Sequence, residues 1–437
     1  MEENKQGEAD FVEAVMTSGE ARLTVGVFGT APLYLLENAG ELHVSWDLAT
    51  LRPYLSVERL VPRVVARTLT RQHRYTSDTV FDGVYRLTER ASAVFTASGL
   101  TVLYPEPAEH VLEPRTLRPG VDPLASFDRL LTDVVREAPC TTGCMGVELS
   151  GGADSGNVAL SVKATGFPQV HSFGLLVGGT SGGPQRERRR AYADHCGFQD
   201  TTVPAMRYPP FCPGGVRALR RPHDPAGAFY QEAFDALRTQ MAVRRCEVVF
   251  TGSGGDEVNA HHSRTSAELP SPEPVPWLGP AAVRARTEVN EQLAPIPVLP
   301  VPTLMAFGMH NPGHLRAGVW PMSPLAHPRI IRFMEQLPHE YKRGKALFRE
   351  RIRSAGLPDA VASPAEPENF LTVLETGLRR YGLAMLDTML KESVLVDLGY
   401  VDGKALAKAR KDAGAAPVVP DLLCDVLALE AGLRSLM

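Results

Sequence analysis

Residues 146–155, Gly-Val-Glu-Leu-Ser-Gly-Gly-Ala-Asp-Ser, join a short apolar run to a polar, glycine-rich turn. A helical pattern follows from Ser155, so the stretch predicts a strand, a tight loop and a helix in succession. Such a loop presents backbone amides at a helix N-terminus, where the helix dipole favours an anion. Gly151 and Gly152 permit tight turning, and Ser150 adds a hydroxyl. We therefore predict a phosphate-binding loop, with a ligand-free turn as the alternative.

A second glycine-rich turn, residues 251–257 (Thr-Gly-Ser-Gly-Gly-Asp-Glu), follows the apolar run 247–250. Neither turn has the lysine of the Gly-x-x-x-x-Gly-Lys-Ser/Thr motif. The phosphate-binding loop predicted around Gly151 and Gly152 is therefore of a different type. Ligands collect at the carboxyl ends of parallel strands, and we expect the two turns to lie there side by side.

Strand-like runs alternate with helical patterns around these turns. Strands are predicted at 143–149, 170–177 and 247–250, and helices at 124–137, from 155, at 186–195 and at 229–244. This alternation predicts a parallel sheet covered on both faces, which is an α/β fold class.

The N-terminal region lacks this alternation of strand and helix patterns. From residue 23 to about 105, short extended runs broken by turns predict a small β-rich domain with one helical stretch at 57–72. The proline-rich segment 105–123 is the expected linker. It divides the chain into predicted domains 1–120 and 121–437.

The region after the second turn is rich in proline between residues 261 and 302, which predicts a mobile flap or substrate loop. The remainder, to residue 437, is mainly helical in pattern. We expect it to form a helical cap.

The composition of the 437 residues narrows the functional classes. The 46 basic residues nearly balance the 50 acidic ones, with net charge −4, so no nucleic-acid partner is expected. An acidic N-terminus and the lack of any long apolar run predict neither a signal peptide nor a membrane span. Six scattered cysteines predict no disulfide framework, and we expect a cytoplasmic protein. Cys140 and Cys144 lack a second ligand pair, which argues against a metal role for them.

The first turn resembles the loop of the pyrophosphate-loop ATP enzymes, which cleave ATP between its α and β phosphates. The second is similar to the Gly-x-Gly-x-Asp-Glu element of asparagine synthetases and their relatives. The resemblance implies that ATP is bound by Ser150, Gly151, Gly152, Asp154, Ser155 and Gly252. It also implies that Asp154 and Asp256 hold Mg²⁺ between the phosphates. A helix N-cap is the alternative role for Asp256.

Residues 341–349, Tyr-Lys-Arg-Gly-Lys-Ala-Leu-Phe-Arg, resemble the family's Gly-Lys-x-x-Leu/Phe-Arg helix start. The resemblance implies that Lys345 is catalytic, because its ammonium can neutralise charge on the α-phosphate and on an oxyanion during amine attack. A solvated basic helix face is the alternative. Another basic run, at 186–190, is expected to lie on a helix surface.

Residues 32–34 and 79–84 look like the glutaminase half of asparagine synthetase. Those glutaminases use an N-terminal cysteine, whereas this sequence begins Met1-Glu2 and has no cysteine before Cys140, so glutamine hydrolysis is not expected. The resemblance therefore points to lasso-peptide cyclases and β-lactam synthetases. These relatives keep a shrunken N-terminal domain and use an amine already on the substrate.

The family pattern is broken at two places. Ser253 stands where asparagine synthetases have an acid and β-lactam synthetases a tyrosine, and we keep it as a catalytic candidate without a defined role. Residues 323–327, Ser-Pro-Leu-Ala-His, replace the family's Pro-Phe/Leu-Leu-Asp. His327, together with His310 and His314, offers a candidate base, with structural roles as the alternative.

These observations predict an ATP- and Mg²⁺-dependent amide synthetase that adenylates a carboxylate for capture by an amine. The favoured substrate is a peptide, in a lasso-peptide macrolactam cyclase with a precursor peptide and a leader protease as partners. A small-molecule amide ligase or β-lactam synthetase-like enzyme of secondary metabolism is the alternative. A catalytically silent nucleotide- or peptide-binding scaffold is the alternative of another class, and the acidic charge balance disfavours a tRNA-modifying enzyme.

Overall fold

The N-terminal part of the chain forms two antiparallel sheets. The computed structural model describes residues 10–138, 143–260, 274–286, 293–366 and 368–437. Cys140 and residues 261–273 and 287–292 of the predicted flap lie outside these described residues.

In residues 10–104 the structure has seven strands and one α-helix: β1 (Val12–Thr17), β2 (Glu20–Val25), β3 (Tyr34–Asn38), β4 (Glu41–Ser45), α1 (Pro62–Leu69), β5 (Val84–Arg86), β6 (Ser92–Thr96) and β7 (Gly99–Leu103). The strand orders are β1-β2-β6-β7 in one sheet and β4-β3-β5 in the other. The hairpins β3–β4 and β6–β7 lie in the region 23–105, where short extended runs broken by turns were predicted. The predicted β-rich region is thus confirmed.

A five-stranded parallel sheet follows the linker and confirms the α/β class. Its elements are α2 (Pro123–Arg136), β8 (Cys144–Glu148), α3 (Ala153–Thr165), β9 (Val170–Leu176), α4 (Gly182–Cys196), β10 (Gln199–Pro204), α5 (Gln231–Val243), β11 (Cys246–Phe250) and α6 (Gly255–Asn259). With β12 (Trp320–Met322), the strand order is β10-β9-β8-β11-β12, and every pairing is parallel. The two glycine-rich turns therefore follow adjacent strands, β8 and β11.

Burial explains why the central strands were predictable and the edge strands were not. The central strand β8 is buried at four of its five residues, as expected for a strand covered on both faces. The edge strand β10 is polar and largely exposed, and β12 has only three residues, including Pro321. Helix α3 is buried continuously from Ser155 to Val162, which holds the loop before it firmly against the sheet.

The rest of the described chain is helical, as predicted. Its α-helices are α7 (Pro280–Ala285), α8 (Val301–Arg316), α9 (Pro328–Gln336), α10 (His339–Lys342), α11 (Ala346–Ser354), α12 (Asp359–Ala362), α13 (Leu371–Gly377), α14 (Leu383–Met389), α15 (Val394–Asp397), α16 (Gly403–Ala415) and α17 (Leu423–Ser435). Each helix in the described ranges is too short or too polar to cross a lipid bilayer.

One apolar core joins the N-terminal sheets to the C-terminal helices. Leu36 of β3 and Val65 of α1 belong to the same buried cluster as Leu386 of α14 and Leu427 of α17. A second core lies under the parallel sheet and includes Val147 of β8. The predicted boundary near residue 120 therefore does not separate two independent cores, and its position stays a prediction.

Candidate active site

The loop between β8 and α3 is closed by its own serines. Gly151 has φ +96°, a left-handed conformation that glycine adopts without strain. The amide of Ser150 donates to Ser155 Oγ over 3.1 Å, and that of Gly152 donates to Ser150 Oγ over 3.1 Å. The two hydroxyl oxygens lie 3.0 Å apart. The predicted loop residues thus form one compact turn at the start of a buried helix, the arrangement that suits an anion.

The second glycine-rich turn packs directly on the first. A Cβ atom added to Gly252 would lie 2.9 Å from the backbone nitrogen of Ser155, and one added to Gly255 would lie 2.4 Å from Asp154 Cγ. Only glycine permits these approaches. The two turns, more than ninety residues apart in the sequence, therefore form one surface at the carboxyl ends of β8 and β11.

Asp154, Asp256 and Lys345 converge at this surface. Lys345 Nζ lies 2.6 Å from Asp154 Oδ2 and 2.6 Å from Asp256 Oδ1. The side chain of Asp154 is 20% exposed, whereas that of Asp256 is 81% exposed. The cluster thus has an enclosed carboxylate on one side of the ammonium and an open one on the other.

The backbone holds the ammonium in this position. Lys345 has φ +60° and ψ 37°, and the preceding Gly344 is also left-handed. This conformation costs a non-glycine residue roughly 1–2 kcal/mol, which other contacts must offset. Helix α11, which starts at Ala346, supplies such contacts: Arg351 Nη1 donates to the Asn157 carbonyl of α3 over 2.7 Å. A freely solvated basic face would need neither the strain nor the anchor.

The electrostatics of the cluster depend on burial and on excess negative charge. Burial raises the pKa of Asp154, the Lys345 ammonium lowers it, and Asp256 and Glu257 raise it, so the net direction is upward. Burial lowers the pKa of Lys345, but Asp154 and Asp256 outweigh it, so the net shift is upward and the amine stays protonated. The ammonium thus pairs with two carboxylates, and Glu257 adds a further negative charge that acts on Asp154, a balance that favours an additional cation.

The donor set fits Mg²⁺. Asp154 Oδ1 is buried and has no hydrogen-bond partner in the described residues, and Asp256 is open to solvent. No group of three or more His, Cys, Asp or Glu side chains in the same described ranges is arranged to hold a metal alone. Mg²⁺ is commonly bound by one or two carboxylates, with phosphate oxygens and waters completing the octahedron, so the two aspartates are sufficient when a phosphate is bound.

The other candidates do not join this cluster. The Ser253 amide donates to Thr251 Oγ1 over 3.3 Å, and among the described residues its hydroxyl has no hydrogen-bond partner. His327 Nδ1 accepts from the Arg329 amide over 3.2 Å and caps α9. Burial and the Arg329 guanidinium lower the pKa of His327 to about 4. These contacts favour the structural role for His327. His314 Nε2 lies 2.9 Å from Glu148 Oε1, at the end of β8.

The prediction for the basic run 186–190 is wrong for two of its members. Arg188 and Arg189 are buried, whereas Arg186 and Arg190 are exposed. Arg189 lies under the sheet in an ion pair with Asp200 of β10. Arg188 Nε donates to the Gly151 carbonyl over 3.2 Å, so it supports the phosphate loop itself.

Two further residues at the loop were missed by the sequence analysis. Gln185 Nε2 donates to the Ser150 carbonyl over 3.0 Å and to the Leu175 carbonyl over 2.9 Å, which ties the loop to β9. Glu368 accepts from Arg188 Nη2 over 2.5 Å, and its Oε1 lies 3.1 Å from where a Cβ of Gly151 would stand. The helical spacing of Gln185, Arg188 and Tyr192 was the available signal for the buried face of α4, and nothing local indicated Glu368.

Residues 126–301 match the family model described as asparagine synthase. The match contains both glycine-rich turns and ends before Lys345. No match was found among curated proteins.

Proposed function

We propose that this chain uses the asparagine synthase domain in residues 126–301 to join a carboxylate to an amine with ATP as co-substrate. A carboxylate oxygen attacks the α-phosphorus of ATP, and pyrophosphate leaves. The amine nitrogen then attacks the acyl carbon, loses a proton and displaces AMP. The observation that carries this proposal is the convergence of the two glycine-rich turns on the cluster of Asp154, Asp256 and Lys345.

Each part of the cluster has a role in this reaction. The N-terminus of α3 and the turn closed by Ser150 and Ser155 would hold the outer phosphates of ATP. Mg²⁺ held by Asp154 and Asp256 would neutralise charge on the leaving pyrophosphate. The Lys345 ammonium has three N–H donors, of which two point to the aspartates, so one is left for a phosphate or oxyanion oxygen.

The proposed substrate carries both the carboxylate and the amine. Residues 1–139 contain no cysteine, and we infer an amine source other than glutamine hydrolysis. We infer that the reaction closes a macrolactam in a lasso peptide, which implies a precursor peptide and a leader protease as partners. Two alternatives remain. A small-molecule amide ligase or a β-lactam synthetase-like enzyme would use the same site chemistry on another substrate. A catalytically silent scaffold would bind nucleotide or peptide without cleaving ATP.

Carboxylate-dependent exchange of labelled pyrophosphate into ATP tests this proposal. We expect exchange with a peptide or small-acid substrate, and its loss in Asp154→Ala. Asp133→Ala, an exposed aspartate of α2, is the matched control and keeps the exchange. If the protein binds ATP but exchanges no pyrophosphate with any member of a panel of peptides and small acids, the scaffold replaces the synthetase.

A further inference from the structure

A cavity of about 500 Å³ lies between the N-terminal sheets and the C-terminal helices. Its walls include Tyr34 of β3, Val64 and Thr68 of α1, the segment 225–230 and Leu429 of α17. The lining is mainly apolar, and its volume lies within the usual range of small-molecule sites. The cavity lies at the junction of the two predicted domains, a common place for such sites.

Three arginines contribute to the lining of this cavity, and Arg74 is the one whose charge lacks a partner among the described residues. Arg67, Arg74 and Arg86 all line it. The buried Nε of Arg74 has no hydrogen-bond partner in the described ranges, and Arg74 forms no ion pair there. Burial lowers the pKa of Arg67, the nearby charges of Arg74 and Arg63 lower it further, and Asp78 partly offsets them.

The acidic residues of the lining are paired with groups other than Arg74, and the charge of Asp224 also acts on Arg86. Asp78 accepts from Arg63 over 2.6 Å, and Asp425 accepts from Arg71 over 2.7 Å. Asp224 accepts from the Tyr34 hydroxyl over 2.6 Å. Arg74 therefore faces an apolar space in which an anion would satisfy its donors.

Another part of the cavity wall lies near the first glycine-rich turn. Phe370 lines the cavity and contacts the ring of Tyr230, with the ring centroids 4.7 Å apart. Glu368, two residues earlier, stands over Gly151. Two residues span at most about 7 Å of chain, so this wall lies beside the candidate active site.

We propose that the cavity binds the acyl substrate of this enzyme, an organic acid with an apolar or aromatic body and a second anionic group that Arg74 binds. The inference rests on the proposed function, because it assigns the substrate's reacting carboxylate to the phosphate-loop end. A doubly charged N-acyl amino acid and an aromatic, acidic peptide segment share this chemistry. A substrate with only one carboxylate leaves Arg74 without an anionic partner.

Calorimetric titration without ATP tests the inference with N-benzoyl-L-glutamate, with the dipeptide Phe-Glu and with the neutral analogue N-benzoylglutamine amide as probes. We expect at least one acidic probe to bind the wild-type protein, and the neutral probe to bind about tenfold more weakly or not at all. Comparison of the two acidic probes distinguishes the acyl amino acid from the peptide. Failure of both acidic probes to bind, or equal binding of the neutral one, overturns the inference.

Variants locate the binding. Arg74→Gln should weaken the acidic probe about tenfold, since a charge-assisted hydrogen bond is lost, whereas Arg22→Gln on the exposed part of β2 should leave it unchanged. Thr68→Phe fills the cavity from α1 without a charge change and should also weaken binding. Unchanged affinity in folded Arg74→Gln and Thr68→Phe contradicts the site. Arg74-dependent binding without pyrophosphate exchange would instead refute the proposed function and leave the anion site standing.

Discussion

The Lys345 ammonium lies 2.6 Å from Asp154 Oδ2, although the two residues are 191 positions apart in the chain. Asp154 is in the first turn of α3, and Lys345 immediately precedes α11. The contact therefore fixes the C-terminal helical region against the phosphate loop. Since Asp256 contacts the same ammonium, three separate segments meet at one point.

Replacement of Lys345 by methionine should reduce the rate of pyrophosphate exchange by about 10²–10³-fold, the usual effect of losing one preorganised electrostatic group. Lys345→Arg should recover part of the rate, because it keeps the charge with a different shape. Steady-state exchange kinetics give the comparison, with the exposed Lys404→Met as the control. A wild-type exchange rate in Lys345→Met would contradict a catalytic role for Lys345 and leave it a role in stability alone.

Gly255→Ala should abolish exchange, because the new Cβ would stand 2.4 Å from Asp154 Cγ and force that carboxylate out of place. The matched variant is Gly183→Ala at the start of α4, where an added Cβ meets nothing within 4 Å. Circular dichroism monitors the fold of both proteins. Full activity in Gly255→Ala would mean that the two turns do not need their close contact.

Glu368→Gln should tighten the binding of Mg²⁺–ATP by up to about tenfold. The Glu368 carboxylate lies beside the phosphate loop and occupies Arg188, so its charge opposes the phosphates. Titration calorimetry with ATP measures the change, and Glu366→Gln, an exposed residue of the same segment, is the control. Weaker binding in Glu368→Gln would show that the carboxylate supports the loop instead.

Because the carboxyl group of Asp425 is buried, its ionisation should lower the free energy of unfolding as the pH rises from about 4 to about 6. Burial, partly offset by Arg71, raises the pKa of Asp425 from its ordinary 3.8 to about 6. The native state therefore keeps a proton that the unfolded chain has lost, and the free energy of unfolding falls across this range.

Urea unfolding at about pH 4 and about pH 7 measures this effect. The free energy of unfolding should decrease from about pH 4 to about pH 7 by up to about 3 kcal/mol less in Asp425→Asn than in the wild type. The variant Asp397→Asn, at an exposed position, should behave like the wild type. An identical decrease in Asp425→Asn and wild type would refute the assignment.

The sequence predicted the parts of the site that depend on local geometry. Glycine spacing indicated both turns, and the rule that parallel strands end at one edge placed Asp154 near Asp256. The sequence did not predict β10 or β12, because a polar strand and a three-residue strand with Pro321 carry little signal. The contribution of each site residue to catalysis stays a prediction.

Long-range pairing explains the remaining errors. Arg188 and Arg189 are charged, and charged residues are rarely buried unless they are paired. Their partners, Glu368 and Asp200, come from elsewhere in the chain, so no pattern inside α4 revealed them. The sequence also did not predict the core shared by β3, α1 and the C-terminal helices, because a proline-rich linker gives no information about which surfaces pack together.

The central claim is that this protein cleaves ATP between the α and β phosphates. Identification of the products formed from ATP, with a carboxylic acid and an amine that the protein accepts as substrates, tests it most directly. Chromatographic separation of the nucleotides and ³¹P NMR of the released phosphates identify the bond that breaks. We predict AMP and pyrophosphate, formed by wild-type protein and not by Asp154→Ala. Formation of ADP and inorganic phosphate would contradict the account.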